Sequence, residues 1–361
     1  MIIESMELKN FRNYRELQLH FDAKTNIFYG DNAQGKTNIL EAVYLSGTTK
    51  SHKGSRDRDM ILFGEDEGHL RTFVKKGEIE YQIDIHLKKN KTKGIAINGV
   101  PIRKASELFG IANFVFFSPE DLSIIKQGPG ERRRFLDMEL CQLDKVYLHH
   151  LANYNRIVVQ RNKLLKDLSF RPELKDTLDI WDIQMAEYGK KIIESRNAFI
   201  ESLGEIIRGI HEKLSGGKEE LTLSYEKHVG AEELYDAITR SRERDIRMKT
   251  SNVGPHRDDL MFAIGGVDIR KFGSQGQQRT AALSLKLSEI ELVKQVIHDT
   301  PVLLLDDVLS ELDHNRQNYL LDSIHDIQTM ITCTGLDEFV NHRFSINRVF
   351  RVVDGAVYSG N

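Results

Sequence analysis

Eight residues near the N-terminus, Gly30, Asp31, Asn32, Ala33, Gln34, Gly35, Lys36 and Thr37, follow the spacing G-x-x-x-x-G-K-[ST]. The two glycines let the backbone curl and turn its N–H groups toward one point. A helix that starts immediately afterwards aims its own unpaired N–H groups and positive dipole end at the same place. Such a loop is expected to hold the phosphates of ATP or GTP, with Lys36 on the β/γ-phosphates and the Thr37 hydroxyl on Mg²⁺. Far downstream, Asp306 and Asp307 close the run VLLLDD. Acids at the carboxyl end of a buried strand stand where ligands bind in open α/β sheets. Asp306 is expected to hold the Mg²⁺, directly or through water, and Asp307 to orient or deprotonate the attacking water. A third stretch, GSQGQQRT, precedes a long helix. Ser274 suits the N-cap and Gly276 permits close backbone approach, which describes a second anion-binding helix start. One nucleotide does not need two helix N-termini from one chain, whereas two chains facing head to tail would each lend one.

The elements needed to position these groups are legible. Residues 25–29 read as a short buried strand, and 37–47 as a helix with apolar Ile39, Leu40, Val43 and Tyr44. Strands are expected over most of 1–29 and in alternating runs from about 67 to 98, then at ANFVFFSPED. From about 131 to 214 nearly everything reads as helix. Tyr147, Leu151, Tyr154, Val158, Arg161, Leu165 and Leu168 are spaced 4-3-4-3-4-3, with only Arg161 breaking the apolar seam. Trp181, Met185, Tyr188, Ile192, Ser195 and Phe199 repeat the spacing. Two such stripes joined by a short turn predict an antiparallel helical hairpin with arms of about 33 Å. The chain then returns to β/α: LTLSYEKH as a strand, 231–249 as one amphipathic helix, DDLMFAIGG as a strand, a helix from Gln277 to His298, strands at PVLLLDD and TMITCT, and a closing hairpin.

Composition narrows the class. A net charge of −3 announces no global basic field, and Cys141 and Cys333 are too few for a disulfide framework or zinc site. No apolar run is long enough for a bilayer and the first residues carry no secretory pattern, so no membrane association and a cytoplasmic location are expected.

GDNAQGKT, SQGQQ and LLLDD followed by SELD, in that order around a helical insertion, resemble the ABC-type ATPase heads of the SMC and DNA-repair class, as does LKNFRNY at 8–14. FSPEDL, GERRRFLD and SNVGPHRDD make the chain more similar still to the RecF family of bacterial recombination mediators. The resemblance implies an α/β fold, an ABC/SMC-type P-loop ATPase head with a short helical-hairpin second domain. It implies a head formed by 1–130 and 216–361, with 131–215 as the arm. It makes Gly30 to Thr37 the Walker A loop, Asp306 the Walker B carboxylate and Asp307 the catalytic acid. Ser274, Gly276 and Gln277 become the signature that completes a partner's site, Ser310 to Asp313 the D-loop, and Arg12 and Asn13 residues that approach the phosphates. It further implies an ATP-driven homodimer that binds DNA without reading sequence, at gaps or single-strand/double-strand junctions. RecR and RecO would be its partners in loading RecA during recombinational repair, replication restart and the SOS response.

Three departures matter. Most ABC heads carry Glu where Asp307 stands, and the shorter acid predicts slow, switch-like turnover. The usual switch His has no counterpart, Thr332 or Thr334 occupying that strand end, and Gln127 is only a candidate for the Q-loop. Basic clusters for DNA are Lys50, Lys53, Arg56 and Arg58; Lys88, Lys89, Lys91 and Lys93; Arg132, Arg133 and Arg134; and Arg240, Arg242, Arg244 and Arg247, the first two groups being favoured. Alternatives are an SMC-like head of another repair complex, a P-loop kinase, a transporter's nucleotide-binding subunit, or a scaffold that binds ATP without turnover. A kinase leaves SQGQQ and the hairpin without a role, and a transporter subunit would favour LSGGQ and lack the hairpin.

Overall fold

A computed structural model describes residues 1–336 and 346–360. By contacts the chain divides into two units, 1–121 with 289–361, and 122–288. The first unit opens with strands β1 (Ile2–Phe11), β2 (Tyr14–His20) and β3 (Thr25–Tyr29), helix α1 (Lys36–Thr48), then β4 (Glu67–Lys76), β5 (Ile79–Lys88), β6 (Gly94–Ile97), β7 (Val100–Pro101) and β8 (Phe114–Phe117). The second holds α2 (Leu122–Lys126), α3 (Pro129–Leu143), α4 (Lys145–Asp167), α5 (Leu178–Leu214), β9 (Leu221–Glu226), α6 (Leu234–Arg240), α7 (Arg242–Met248), β10 (Asp259–Ile264), β11 (Val267–Asp268), α8 (Ile269–Phe272) and the start of α9 (Gln275–Ile297). The chain re-enters the first unit within α9 and adds β12 (Val302–Asp306), α10 (His314–Ser323), β13 (Thr329–Cys333), β14 (Arg348–Val353) and β15 (Ala356–Gly360).

The first unit contains two sheets. One is antiparallel, in the order β2-β1-β4-β5-β6-β7. The other runs β15-β14-β3-β13-β12-β8, parallel from β14 to β8, with β15 antiparallel at the edge. Its central strands are apolar because both faces are covered: β8, β12 and β13 are buried throughout. The strand that leads into the glycine loop, β3, and the strand that ends in Asp306, β12, are not neighbours. Strand β13 lies between them, with Thr332 in register with Phe28 on one side and Asp306 on the other.

In the second unit the predicted hairpin is α4 and α5. Tyr147 meets Arg196, and fourteen residues further along α4 Arg161 meets Asp182, fourteen residues earlier on α5, so the helices run antiparallel. At 37 residues α5 is much longer than the expected arm. The expected helix over 231–249 is two short ones, α6 and α7, meeting at Ser241. The return to the first unit also falls later than 216. Strands β9, β10 and β11 form a small sheet of their own, and β9 packs on α5, which keeps 216–288 with the helices.

Arg161, the one break in the apolar stripe, is fully buried. Its guanidinium bonds Asp182 Oδ1 at 2.7 Å, Asp245 Oδ2 at 2.7 Å and Ser251 Oγ at 2.8 Å. A second buried guanidinium, Arg196, takes Asp137 at 2.8 Å, Asp258 at 3.2 Å and the Pro255 carbonyl at 2.7 Å. An unpaired charge at such a position would be strongly destabilising, which explains the acids gathered around each arginine. The strings GERRRFLD and SNVGPHRDD thus meet in the interior of this unit, where Arg132 also forks onto Asp259.

Candidate nucleotide site

The loop before α1 needs its glycines. Gly35 sits at φ +113, and a Cβ there would lie 2.5 Å from Asn13 Nδ2 and 2.7 Å from Tyr14 Oη. A Cβ on Gly30 would collide with the Val352 carbonyl at 2.3 Å. Lys36 folds back over the loop, its Nζ donating to the carbonyls of Gly30 at 2.5 Å and Asp31 at 2.8 Å. No side chain caps α1 and its own first turn carries no acid, so the helix start keeps its positive dipole end without a capping side chain.

Asp306 reaches the same corner. Its Oδ1 accepts from Thr37 Oγ1 at 2.8 Å and from Thr332 Oγ1 at 2.7 Å. Thr332 Oγ1 also accepts the Asp307 N–H at 3.0 Å. One hydroxyl on the intervening strand therefore ties both acids, and Asp307 turns away from the strand in a left-handed conformation, φ +53. Partial burial pushes the Asp307 carboxyl above its ordinary value, with Asp306 adding to the rise and Lys36 and Ser310 opposing it. Ser310 Oγ donates to the Asp307 carbonyl at 2.9 Å, and Asp313 caps α10 through the Arg316 N–H at 3.0 Å. Thr334 is exposed.

Two turns clamp the loop from outside. Asn13 Nδ2 donates to the Gln34 carbonyl at 3.0 Å while its Oδ1 accepts from Asn38 at 2.8 Å. The β14–β15 turn supplies the N–H of Asp354 to Gln34 Oε1 at 2.5 Å and that of Gly355 to the Gln34 carbonyl at 3.3 Å. Arg12 is placed differently from its expected role. Its guanidinium is committed to the buried Glu41 carboxylate of α1 through two 2.7 Å bonds, and to Ser55 Oγ and the Asp59 carbonyl. Burial pushes Glu41 up, but the hydrogen bonds from Arg12 and Ser51 outweigh it and its net shift is downward.

Sequence reasoning missed Tyr14, Glu41, Thr332's double bond and the Asp354–Gly355 turn. Tyr14 is fully buried against Gly35, and its hydroxyl has no partner among the described residues. The FRNY string carried a signal for Tyr14. Nothing in the sequence pointed from Asp354 to Gln34.

In the second unit, Ser274 is the N-cap of α9, as expected. Gln277 accepts the Ser274 N–H at 2.9 Å and its own N–H goes to Ser274 Oγ at 3.2 Å, a reciprocal capping box. Gln277 Nε2 also holds Glu219 at 2.9 Å, while Ser274, Gln275 and Gly276 stay exposed. The side chain of Gln127 is exposed and its carbonyl serves Arg132 at 2.7 Å.

The basic clusters separate. Arg132 is internal, Arg133 donates to the Asp258 carbonyl at 2.6 Å, and Arg242 is fixed to Asp182 and Asp179. The first two groups become one surface, because Lys93 Nζ donates to the Thr49 carbonyl at 2.5 Å and to Asp57 at 2.8 Å.

No group of three or more His, Cys, Asp or Glu side chains among the described residues could hold a metal by itself. An adjacent hydroxyl and carboxylate, Thr37 and Asp306, fit a hard cation that takes its remaining oxygens from phosphate and water. No helix of the described residues is long and apolar enough to cross a membrane.

The RecF/RecN/SMC N terminal domain family matches residues 2–356. A DNA replication and repair protein RecF from Agathobacter rectalis is 64% identical over 357 residues, covering 99% of each chain. A solved recombination mediator protein, RecF-ATP of the RecFOR pathway, superposes with a TM-score of 0.92 at 36% identity over 99% of this chain and 97% of that one. An Smc head bound to the C-winged helix domain of ScpA shares the fold, with a TM-score of 0.59 at 18% identity over 100% of this chain and 97% of that one.

Proposed function

The chain belongs to the RecF family of DNA replication and repair proteins, and from that premise we propose that it is an ATP-operated switch whose nucleotide is sandwiched between two copies of itself. The observation that carries this reading is the junction of Thr37, Asp306 and Thr332 beside the uncapped start of α1. ATP lies with its phosphates over the 30–37 loop, Lys36 moving from carbonyl oxygens to the β/γ-phosphates. Thr37 and Asp306 would hold Mg²⁺, which when bound would supply charge neutralisation to the phosphates. Both threonine hydroxyls donate to Oδ1 of Asp306, which holds the carboxylate in place beside Thr37. Asp307 accepts the proton of the attacking water, and the upward shift of its carboxyl, caused by partial burial, makes it a better base than an ordinary aspartate. Its short side chain makes turnover slow.

The signature Ser274 and Gly276, exposed at the start of a 23-residue helix, face the γ-phosphate held by the other copy. Gln277 acts there through its capping box, by fixing Ser274. Asn13 steadies the loop, and Arg12 acts on the site through Glu41. The loop and acids belong to the first unit, while the signature residues belong to the second together with the 131–215 arm. The merged basic surface binds DNA backbone at gaps or junctions, and RecR and RecO are the partners through which RecA is loaded, in the cytoplasm, during repair, replication restart and the SOS response.

Light scattering with and without saturating Mg-ATP tests the composite site. The parent dimerises on ATP, and Ser274→Arg, which crowds the signature, stays monomeric with ATP affinity intact. A parent that remains monomeric at saturation overturns the reading. DNA affinity falls steeply with salt if backbone phosphates are the contact, and a flat response removes the DNA surface.

A further inference from the structure

Within the first unit one aromatic side chain stands bare. Phe63 is 101% exposed. Single exposed apolar residues are ordinary, so exposure alone assigns nothing. Three further observations set this one apart.

The first is rigidity. Phe63 and Gly64 are the central residues of a tight turn closed by the Glu65 N–H on the Leu62 carbonyl at 3.0 Å, with Gly64 at φ +94, the geometry of a type II turn. Both sides of the turn are anchored. The Leu62 N–H bonds the Asn10 carbonyl at 2.9 Å, Ile61 bridges Phe11, and the Lys89 N–H takes the Asp66 carbonyl at 3.0 Å. An aromatic ring held out on a fixed turn loses little freedom when it meets a ligand.

The second is charge. The acids near the turn are all matched: Glu65 by Arg15, Asp66 by Lys89, Glu67 by Lys88 and His86, Asp57 by Lys93, and Asp59 by Arg58. Lys50, Lys53, Arg56 and Lys91 are exposed and enter no ion pair among the described residues. The surplus on this surface is therefore cationic, although the whole chain carries −3.

The third is continuity. Lys93 joins the 49–57 segment to the β5–β6 turn, and Lys89 joins that turn to Asp66, three residues from Phe63. Bare ring and surplus cations lie along one connected stretch of surface.

A cationic track beside a projecting aromatic fits single-stranded nucleic acid, whose phosphates meet the cations while a base stacks on the ring. We infer that Phe63 is a base-stacking wedge that engages the first unpaired base beside a duplex, so that this surface distinguishes a single-strand/double-strand junction from continuous duplex. Duplex bases are already stacked on their neighbours, whereas the first unpaired base offers a free face. This inference rests on the DNA reading above and gives it a structural source of junction preference that needs no base-edge readout.

The test measures binding, with Mg-ATP present, to a tailed duplex carrying 2-aminopurine at the first unpaired position and to a blunt duplex of equal length. The parent quenches the probe and prefers the tailed DNA. Phe63→Ala loses the quench and weakens tailed-DNA binding about 5- to 150-fold, the range that aromatic–base stacking supplies, with blunt-duplex and ATP affinities unchanged. Phe63→Trp restores both quench and preference. Phe63→Ala matching the parent on both DNAs overturns the inference, as does equal weakening on both. So does loss of protein–protein association alone, which would make the ring a protein contact. These failures leave salt-sensitive duplex binding in place, whereas a parent that binds neither DNA overturns the DNA reading itself.

Discussion

Two polar clusters in this molecule are built from similar residues to opposite ends. The corner around Thr37, Asp306 and Asp307 leaves bonding capacity uncommitted: the start of α1 has no side-chain cap and the Tyr14 hydroxyl has no partner among the described residues. The seam around Arg161 and Arg196 uses nearly everything: among the described residues, Nη2 of Arg161 is its one fully buried side-chain nitrogen or oxygen without a partner. Donors kept open in this way suit the anion proposed for the corner, at some cost in stability. A seam that must hold two helices in register saturates its charges. Buried polarity by itself therefore does not mark a functional site, and unsatisfied, aimed polarity does so better.

The sharpest way to break this comparison is Asp307→Asn. It should lower ATP turnover about 100- to 10,000-fold while leaving ATP binding intact and trapping the ATP dimer, as read by single-turnover hydrolysis and light scattering. A scaffold without turnover would show no change. The converse substitution, Arg161→Ala, leaves Asp182 and Asp245 buried without their cation. It should cost roughly 3–5 kcal/mol in urea unfolding, with ATP affinity of the folded fraction unaltered. A cost under about 1 kcal/mol would mean that the seam contributes little.

Acid probes the same seam. Burial pushes His256, whose ring bonds Tyr154 at 2.7 Å, down to about 4. The unfolded chain takes that proton near pH 6.5 and the folded one only near 4. This contribution is complete above about pH 6.5 and is lost as the pH falls through 4, at most about 3 kcal/mol. His256→Gln should flatten unfolding free energy over that window. The smallest expected effect is Thr332→Val, which removes one donor from Asp306 and one acceptor from Asp307. It should weaken Mg²⁺-dependent hydrolysis by about 1–3 kcal/mol, with Thr332→Ser restoring it. A Thr332→Val protein that hydrolyses ATP normally would show that Thr37 alone positions Asp306.

Much of this was legible beforehand. The glycine loop, the strand before it, the helix after it and the double acid all stand where the sequence reading puts them, because each is a local pattern with a local physical cause. The 4-3 stripes foretold the hairpin, and Arg161, the one break in the first of them, marked its ionic seam. Two expectations were displaced for want of local signal. Arg12 lies in a stretch shared with ATPase heads, yet its cation goes to Glu41, twenty-nine residues away. The basic run 132–134 reads as a solvated face until Asp258 and Asp259 are brought against it.

By itself, the sequence determined that a glycine loop, two strand-end acids, a capped helix start and a helical hairpin exist, since spacing, periodicity and turn chemistry act over a few residues. Only the tertiary structure decided which polar groups became neighbours: Thr332 with Asp306, Asp354 with Gln34, Lys93 with Asp57, Arg161 with Asp245. The reason is physical. A hydroxyl or guanidinium accepts many partners equally well, and only the packing of apolar strands and helices selects which one it meets.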